Sequence, residues 1–383
     1  MNTVKTLASL PFFWLILFVA VFHSSIGVAQ NTVAETTPST SPRIQDQDIL
    51  ALNDSLMRMA DYYVKPSRST ERRIDAVIAL MFDQNKLGLV YKRDQTSTVQ
   101  ETVAAGGGNC LSLAAVFVAV ARHVGLEASF VSVSVPPNWR EADVEDLYVV
   151  SQHMSAEVTE KRRFGEKKHG VEFLWVMSEP GKKDRKAVGD NRAFADFYNN
   201  IAVESLQQNR LDDALYYAEK AVAADSRYAY AWLTRGVIYR KLDQLQEAEQ
   251  SYVTSLELDK DNPSAMSNLV ALYRMQGRDR EADRYSEKVE RYRMKNPYYL
   301  HSLAEKAITE KSYKEAIRLL KRAIKKTEYE DKFYFTLAKA YHLYGKHRKA
   351  IDSLDKARAL VTDPAVKARY SKKLDLLQES NNG

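Results

Sequence analysis

Cys110 is the only cysteine of the chain, and its setting suggests chemistry. It follows Gly106-Gly107-Gly108-Asn109 and opens an apolar run, LSLAAVFVAVARHVGL, that reads as a buried helix. At a helix N-terminus the unpaired N–H groups and the macrodipole favour negative charge, and there a thiol is most readily used as a thiolate. The glycines are expected to let the backbone come close to a substrate. A thiolate presented this way is a candidate nucleophile; the plainer alternative is a small buried hydrophobe. A lone cysteine excludes an internal disulfide framework and a structural zinc site built on several thiolates. Competing chemistries lack their motifs. The glycines are not followed by Gly-Lys-Ser/Thr, as a phosphate loop requires, and there is no HExxH helix, no GxSxG and no His/Cys cluster at metal-ligand spacing. No cofactor and no metal are expected.

The elements that must hold Cys110 are legible around it. Ile49, Leu52, Leu56 and Met59 have helical spacing, Arg72 through Met81 reads as helix, and Thr98 through Val103 is a third helix candidate. Beyond the buried helix, ASFVSVSV alternates and is rich in β-branched residues, which predicts a strand. LYVVS, HMSAEV and VEFLWV are further strand candidates, beginning at Leu147, His153 and Val171. Helices, then a buried helix, then an antiparallel sheet make an α+β domain, placed at residues 46–187.

The stretch Gly108-Asn109-Cys110-Leu111-Ser112-Leu113-Ala114, with its helix ending His123-Val124-Gly125-Leu126, resembles the nucleophile segment of the transglutaminase-like superfamily. The resemblance spans roughly residues 70–180. It implies a papain-like fold with a Cys-His-Asp triad. His153-Met154-Ser155-Ala156-Glu157-Val158 fits the family's histidine motif, and Glu172, within Val171-Glu172-Phe173, stands where the family carries aspartate. The implied roles are attack on an amide carbonyl by Cys110, proton transfer by His153 and orientation of the imidazole by Glu172. The Cys110 backbone N–H would help bind the oxyanion. Water as acceptor would make a peptidase or amidase, and an amine as acceptor a transglutaminase. His169 is an alternative partner three residues before Glu172, and His123 is expected to cap the cysteine helix.

The C-terminal half repeats. Ala214, Ala248, Ala282, Ala316 and Ala350 are each 34 residues apart. Twelve residues before them stand Ala202, Gly236, Val270, Ala304 and Ala338; sixteen before, Tyr198, Trp232, Met266, Leu300 and Tyr334; seven after, Ala221, Ser255, Val289, Ala323 and Ala357. This pattern resembles the tetratricopeptide repeat, in which small residues let paired helices approach. Five units are placed at 188–363, with a capping helix and tail at 364–383. The implied fold is an all-α right-handed solenoid whose groove takes a protein or peptide partner.

Ahead of both domains, Lys5 precedes an apolar run from Leu7 to Phe22, and Gly27-Val28-Ala29 supplies small residues before Gln30. Residues 1–29 therefore read as a secretory signal peptide. The run is about 16 residues, short of the ~20 that a spanning helix needs. Residues 30–45, rich in Thr, Ser and Pro, read as a flexible linker. The expected location is outside the cytoplasm, periplasmic in a Gram-negative bacterium, or a membrane anchor if the signal is not cleaved.

Composition agrees with folded domains: 383 residues, 45% hydrophobic, 28% charged. The net charge of +6 is too small to argue for nucleic acid, and no basic-aromatic pattern suits base stacking. Charge is uneven, though. From Lys306 onward roughly 19 Lys/Arg face roughly 10 Asp/Glu, with Lys321, Arg322, Lys325 and Lys326 close together, and Lys346, Arg348 and Lys349 in the next unit. That asymmetry suits an acidic partner; its plain alternative is a solvated face. The combined expectation is an exported cysteine enzyme acting on peptide or protein amides, its repeat array recruiting substrate or partner. The alternative is a catalytically degenerate periplasmic scaffold that binds proteins through the array.

Overall fold

The computed structural model describes residues 42–93, 95–133, 153–173 and 185–382. These lie in one unit, Pro38–Gly383. The signal peptide, most of the linker, the strand candidate at Leu147 and the end of VEFLWV fall outside the described residues.

The first helical stretch is broken. α1 spans Asp46–Ile49 and α2 spans Asp54–Tyr63. Asn53 separates them because its side chain accepts a hydrogen bond from the Leu56 N–H at 2.9 Å and starts a new helix. α3 (Thr70–Phe82) begins after Ser69, which caps it in the same way. β1 (Val90–Tyr91) and β2 (Gly107–Gly108) form a two-stranded parallel pair, with α4 (Val99–Ala104) between them.

α5 (Cys110–His123) is the centre of the domain. Every residue from Leu111 to Ala121 is buried. An apolar surface on all sides needs cover on all sides. Helices α2, α3 and α4 and strands β3 (Glu127–Val133) and β4 (His153–Arg162) supply it. Phe117, Phe130, Leu80, Met81 and Ala156 meet in the shared core. The sheet order is β5-β4-β3-β6, antiparallel throughout, with β5 at Gly165–Val171 and β6 at Arg185–Val188. The strand expected to start at Val171 instead ends there. β5 is an edge strand reading GEKKHGV, and its charged residues replace apolar alternation while protecting the open edge.

From Asp190 the described residues are helical: α6 (Asp190–Gln207), α7 (Leu211–Ala224), α8 (Ala229–Lys241), α9 (Leu245–Leu258), α10 (Pro263–Met275), α11 (Asp279–Arg293), α12 (Pro297–Thr309), α13 (Tyr313–Lys326), α14 (Asp331–Leu343), α15 (His347–Leu360) and α16 (Pro364–Asn382). They pack as successive pairs. The periodic alanines explain the packing: Ala214, Ala248, Ala282, Ala316 and Ala350 have no exposed surface. At Gly236 a Cβ would lie 2.6 Å from the Tyr252 ring, so this crossing has no room for a side chain. The backbone repeats too. Asn209, Asp243, Gly277, Lys311 and Gly345 all have positive φ, each in the turn between the two helices of a pair.

The two halves share one core. The cluster that holds Phe117 and Phe130 continues through Phe197, Tyr198, Tyr217 and Ile238 of α6–α8. Arg122 on α5 pairs with Asp190 at 2.7 and 2.8 Å through two nitrogens, a bidentate contact. Residues assigned to the end of the linker are held as well. The Ile44 N–H donates to the Tyr217 hydroxyl at 3.1 Å, Lys220 donates to Gln45 at 2.9 Å, and the Arg43 guanidinium stacks on Tyr216.

Candidate active site

The turn before Cys110 is built by close backbone pairing. Gly107 has φ +149°, and a Cβ there would lie 2.1 Å from the Val90 carbonyl oxygen. At Gly108 a Cβ would meet the Ser112 side chain at 2.7 Å. The Val90 N–H donates to the Gly106 carbonyl and the Lys92 N–H to the Gly108 carbonyl, at 3.1 and 2.9 Å. Gly107 therefore serves the pairing with β1, and Gly108 the close packing on Ser112 of α5.

Asn109 starts α5. Its side-chain oxygen accepts from the Ser112 N–H at 3.0 Å, and its amide donates to Thr96 Oγ1 at 2.8 Å. The Ser112 hydroxyl accepts from the Ser97 N–H at 2.9 Å. Thr98 and Glu101 form the capping box that opens α4. The segment around Thr96–Thr98 is thus clamped on the first turn of α5, and the Thr96 N–H donates to Glu204 of α6 at 3.1 Å. Cys110 is half-buried at this helix start, where the free N–H groups point outward.

His153 is the first residue of β4, opposite Val133 of β3, and is only 5% exposed. Its Nε2 is hydrogen-bonded to Oε1 of Glu172, one residue past the end of β5. The same oxygen accepts from the Phe173 N–H at 2.9 Å, and the Phe173 ring packs on Phe117 of α5 at a centroid distance of 6.0 Å. With Nε2 committed to Glu172, Nδ1 is the nitrogen left for the thiol. Cys110 acts as a hydrogen-bond and charge partner of the imidazole, while Nδ1 makes no hydrogen bond of ordinary geometry among the described residues. Burial by itself depresses the basicity of His153. Cys110 and Glu172 outweigh it and raise the pKa from 6.5 to about 9. Of the three residues named from sequence, His153 and Glu172 are joined by a hydrogen bond, and Cys110 bears on the imidazole through its charge.

The other histidines are elsewhere. His169 is paired with Glu160 at 3.0 Å across β5 and β4. The His123 ring contacts Asp61 at 3.1 Å and so ties the end of α5 to α2 rather than capping α5. Two features of the site escaped the sequence. The Ser/Thr cluster Thr96-Ser97-Thr98 was legible as a capping box, Thr98-x-x-Glu101. Arg185 on β6 carried no local signal; it donates to Ser155 Oγ at 3.0 Å and lies 3.6 Å from Glu172 Oε2. Among the described residues no group of His, Cys, Asp and Glu is arranged to hold a metal ion.

Residues 58–170 match the model of the transglutaminase-like superfamily, which takes in Cys110 and His153 and stops short of Glu172. Residues 229–262 and 264–289 match tetratricopeptide repeat models. The chain thus carries a transglutaminase-like core domain followed by tetratricopeptide repeats, and repeats of this type support protein or peptide binding. An uncharacterized protein, ycf37 of Guillardia theta, is 34% identical over 80 residues, 21% of this chain and 45% of its own length, so the match spans under half of that relative.

Solved structures similar to the chain are helical-repeat proteins. YrrB, described as a TPR protein with an unusual peptide-binding site, has 20% identity over 46% of this chain and 92% of its own, with a TM-score of 0.27. PilF of Pseudomonas aeruginosa has 15% identity over 51% of this chain and 88% of its own, with a TM-score of 0.32.

Proposed function

We propose that the chain is a cysteine enzyme acting on peptide or protein amide bonds. The observation that supports it most is the buried His153, hydrogen-bonded to Glu172, with its pKa raised to about 9 by Cys110 and Glu172. An imidazolium at neutral pH is the partner a thiolate needs. In this reading the Cys110 thiolate attacks the amide carbonyl carbon. The backbone N–H groups at the start of α5 donate to the oxyanion. His153 gives its proton to the departing amine, the C–N bond breaks and a thioester remains. Water or a second amine then attacks the thioester, loses its proton to His153 and releases the thiolate. Glu172 keeps Nε2 engaged, so that Nδ1 faces the sulfur throughout.

The repeat array would recruit the protein that carries the amide, or an assembly partner. Exposed Lys321, Lys325 and Lys326 on α13, and Lys346, Arg348 and Lys349 around the start of α15, support an acidic segment as its ligand. Export is part of the same proposal, on the strength of the Lys5, Leu7–Phe22 and Gly27-Val28-Ala29 pattern. Among the described residues no helix is long and apolar enough to cross a membrane.

The test is a panel of glutamine-containing peptides and simple peptide amides, incubated with and without a primary amine and read by mass spectrometry. Products formed by the wild type and lost in Cys110→Ala support the enzyme, and an amine adduct selects transfer over hydrolysis. Turnover undiminished in Cys110→Ala would overturn it.

A further inference from the structure

The glutamate at 172 is one methylene longer than the aspartate of the resembled family, and a longer carboxylate has more ways to point away from a histidine. Two contacts restrain it besides His153. One is local: the Phe173 N–H donates to Oε1. The other comes from the far side of the sheet. In the order β5-β4-β3-β6, Arg185 sits on β6, paired with Val133, and its side chain crosses the sheet. Its Nη2 donates to the Ser155 hydroxyl on β4 at 3.0 Å, and its Nη1 stands 3.6 Å from Glu172 Oε2. The two ends of one planar fork are thus committed to β4 and to the residue just past β5. Ser155 is fully buried, so it is a fixed anchor for the guanidinium. Gly170 leaves room for it: a Cβ there would come within 3.2 Å of Nη2. Oε1 of Glu172 is turned to His153 and Oε2 to Arg185, so each oxygen has its own partner.

We infer that Arg185 is a positioning residue for the cysteine site: anchored on Ser155, it holds Glu172 in the rotamer that engages His153, and so allows a glutamate to serve in this place. Arg185 touches neither the thiol nor the imidazole in any contact described, so its influence passes through Glu172. This inference rests on the Cys110–His153–Glu172 reading and deepens it. It also explains why this departure from aspartate need not disable the site, because Arg185 supplies the restraint that a shorter side chain would not need.

The test is the alkylation rate of Cys110 by iodoacetamide between pH 5 and 10, using the purified protein and its variants. One thiol makes the labelling site unambiguous. Arg185→Gln is expected to slow alkylation at pH 7 by about threefold to tenfold, the size set by a partly exposed ion pair, and to move the inflection of the profile upward. Arg185→Lys keeps the charge but has one nitrogen, and recovers less than half of that loss on a logarithmic scale. Ser155→Ala, which removes the anchor but keeps the guanidinium, slows alkylation in the same direction by less than Arg185→Gln does. In a Glu172→Gln background, Arg185→Gln adds nothing further, because the two act through one carboxylate. If Glu172→Gln slows alkylation while Arg185→Gln does not, or if the two losses are additive, the positioning role is wrong and the triad stands. If Glu172→Gln itself leaves the profile unchanged, the triad reading falls and the inference with it.

Discussion

Replacing Gly107 by alanine perturbs the turn that delivers Cys110, and the structure sets the size of the effect. At φ +149° an L residue is strained by about 1–3 kcal/mol. The new Cβ would also lie 2.1 Å from the Val90 carbonyl oxygen, a backbone atom that cannot swing aside. Relief requires β1 and β2 to part, giving up bonds such as Val90 N–H to Gly106 and Lys92 N–H to Gly108, each worth a net of about 1 kcal/mol. The expected destabilisation is therefore roughly 3–5 kcal/mol. Gly106 is the control. It has φ +68° and nothing within 4 Å of a built Cβ, so Gly106→Ala should cost only about 1 kcal/mol. Urea unfolding followed by circular dichroism compares the two, with the labelling rate of Cys110 as a local probe. If Gly107→Ala falls within about 1 kcal/mol of Gly106→Ala and the thiol labels as in the wild type, the account of the glycine turn is wrong.

Two further outcomes are expected. The folded-state pKa of His153, about 9, lies above its ordinary 6.5, so the stability it contributes is fully present below about pH 6.5 and is lost as pH rises through 9; urea melts at pH 6 and pH 10 should differ by roughly 3 kcal/mol more in the wild type than in His153→Gln, and an equal pH dependence in both would contradict the buried cluster. Lys311 holds a left-handed conformation in a turn where the equivalent residues are Asn209, Asp243, Gly277 and Gly345, so Lys311→Gly should stabilise by about 1 kcal/mol and raise the thermal midpoint, while Lys311→Val should lower it; a lower midpoint for Lys311→Gly would refute the assignment of strain.

How far the fold could be read depended on where each signal resides. The buried helix was plain because a run apolar on all sides from Leu111 to Ala121 needs cover on all sides. The repeat was plain because five fully buried alanines recur at one interval. β5 and β6 were not, since edge strands such as GEKKHGV and RKAV carry charge where a central strand carries apolar alternation. The break between α1 and α2 was hidden because Ile49, Leu52, Leu56 and Met59 keep helical spacing across it, and Asn53 reads as a cap only once its bond to Leu56 is seen. At the site, the residue types and their family spacing led to Cys110, His153 and Glu172. Arg185 was beyond reach, because its contact with Glu172 depends on the order of strands in the sheet, which no local pattern encodes.

The central claim is that His153 activates Cys110. The most direct measurement is the alkylation rate of Cys110 against pH in the wild type and in His153→Ala. If His153 activates the thiol, the wild type is alkylated faster than His153→Ala at pH 6–7. Superimposable profiles, with both proteins unreactive at neutral pH, would contradict it.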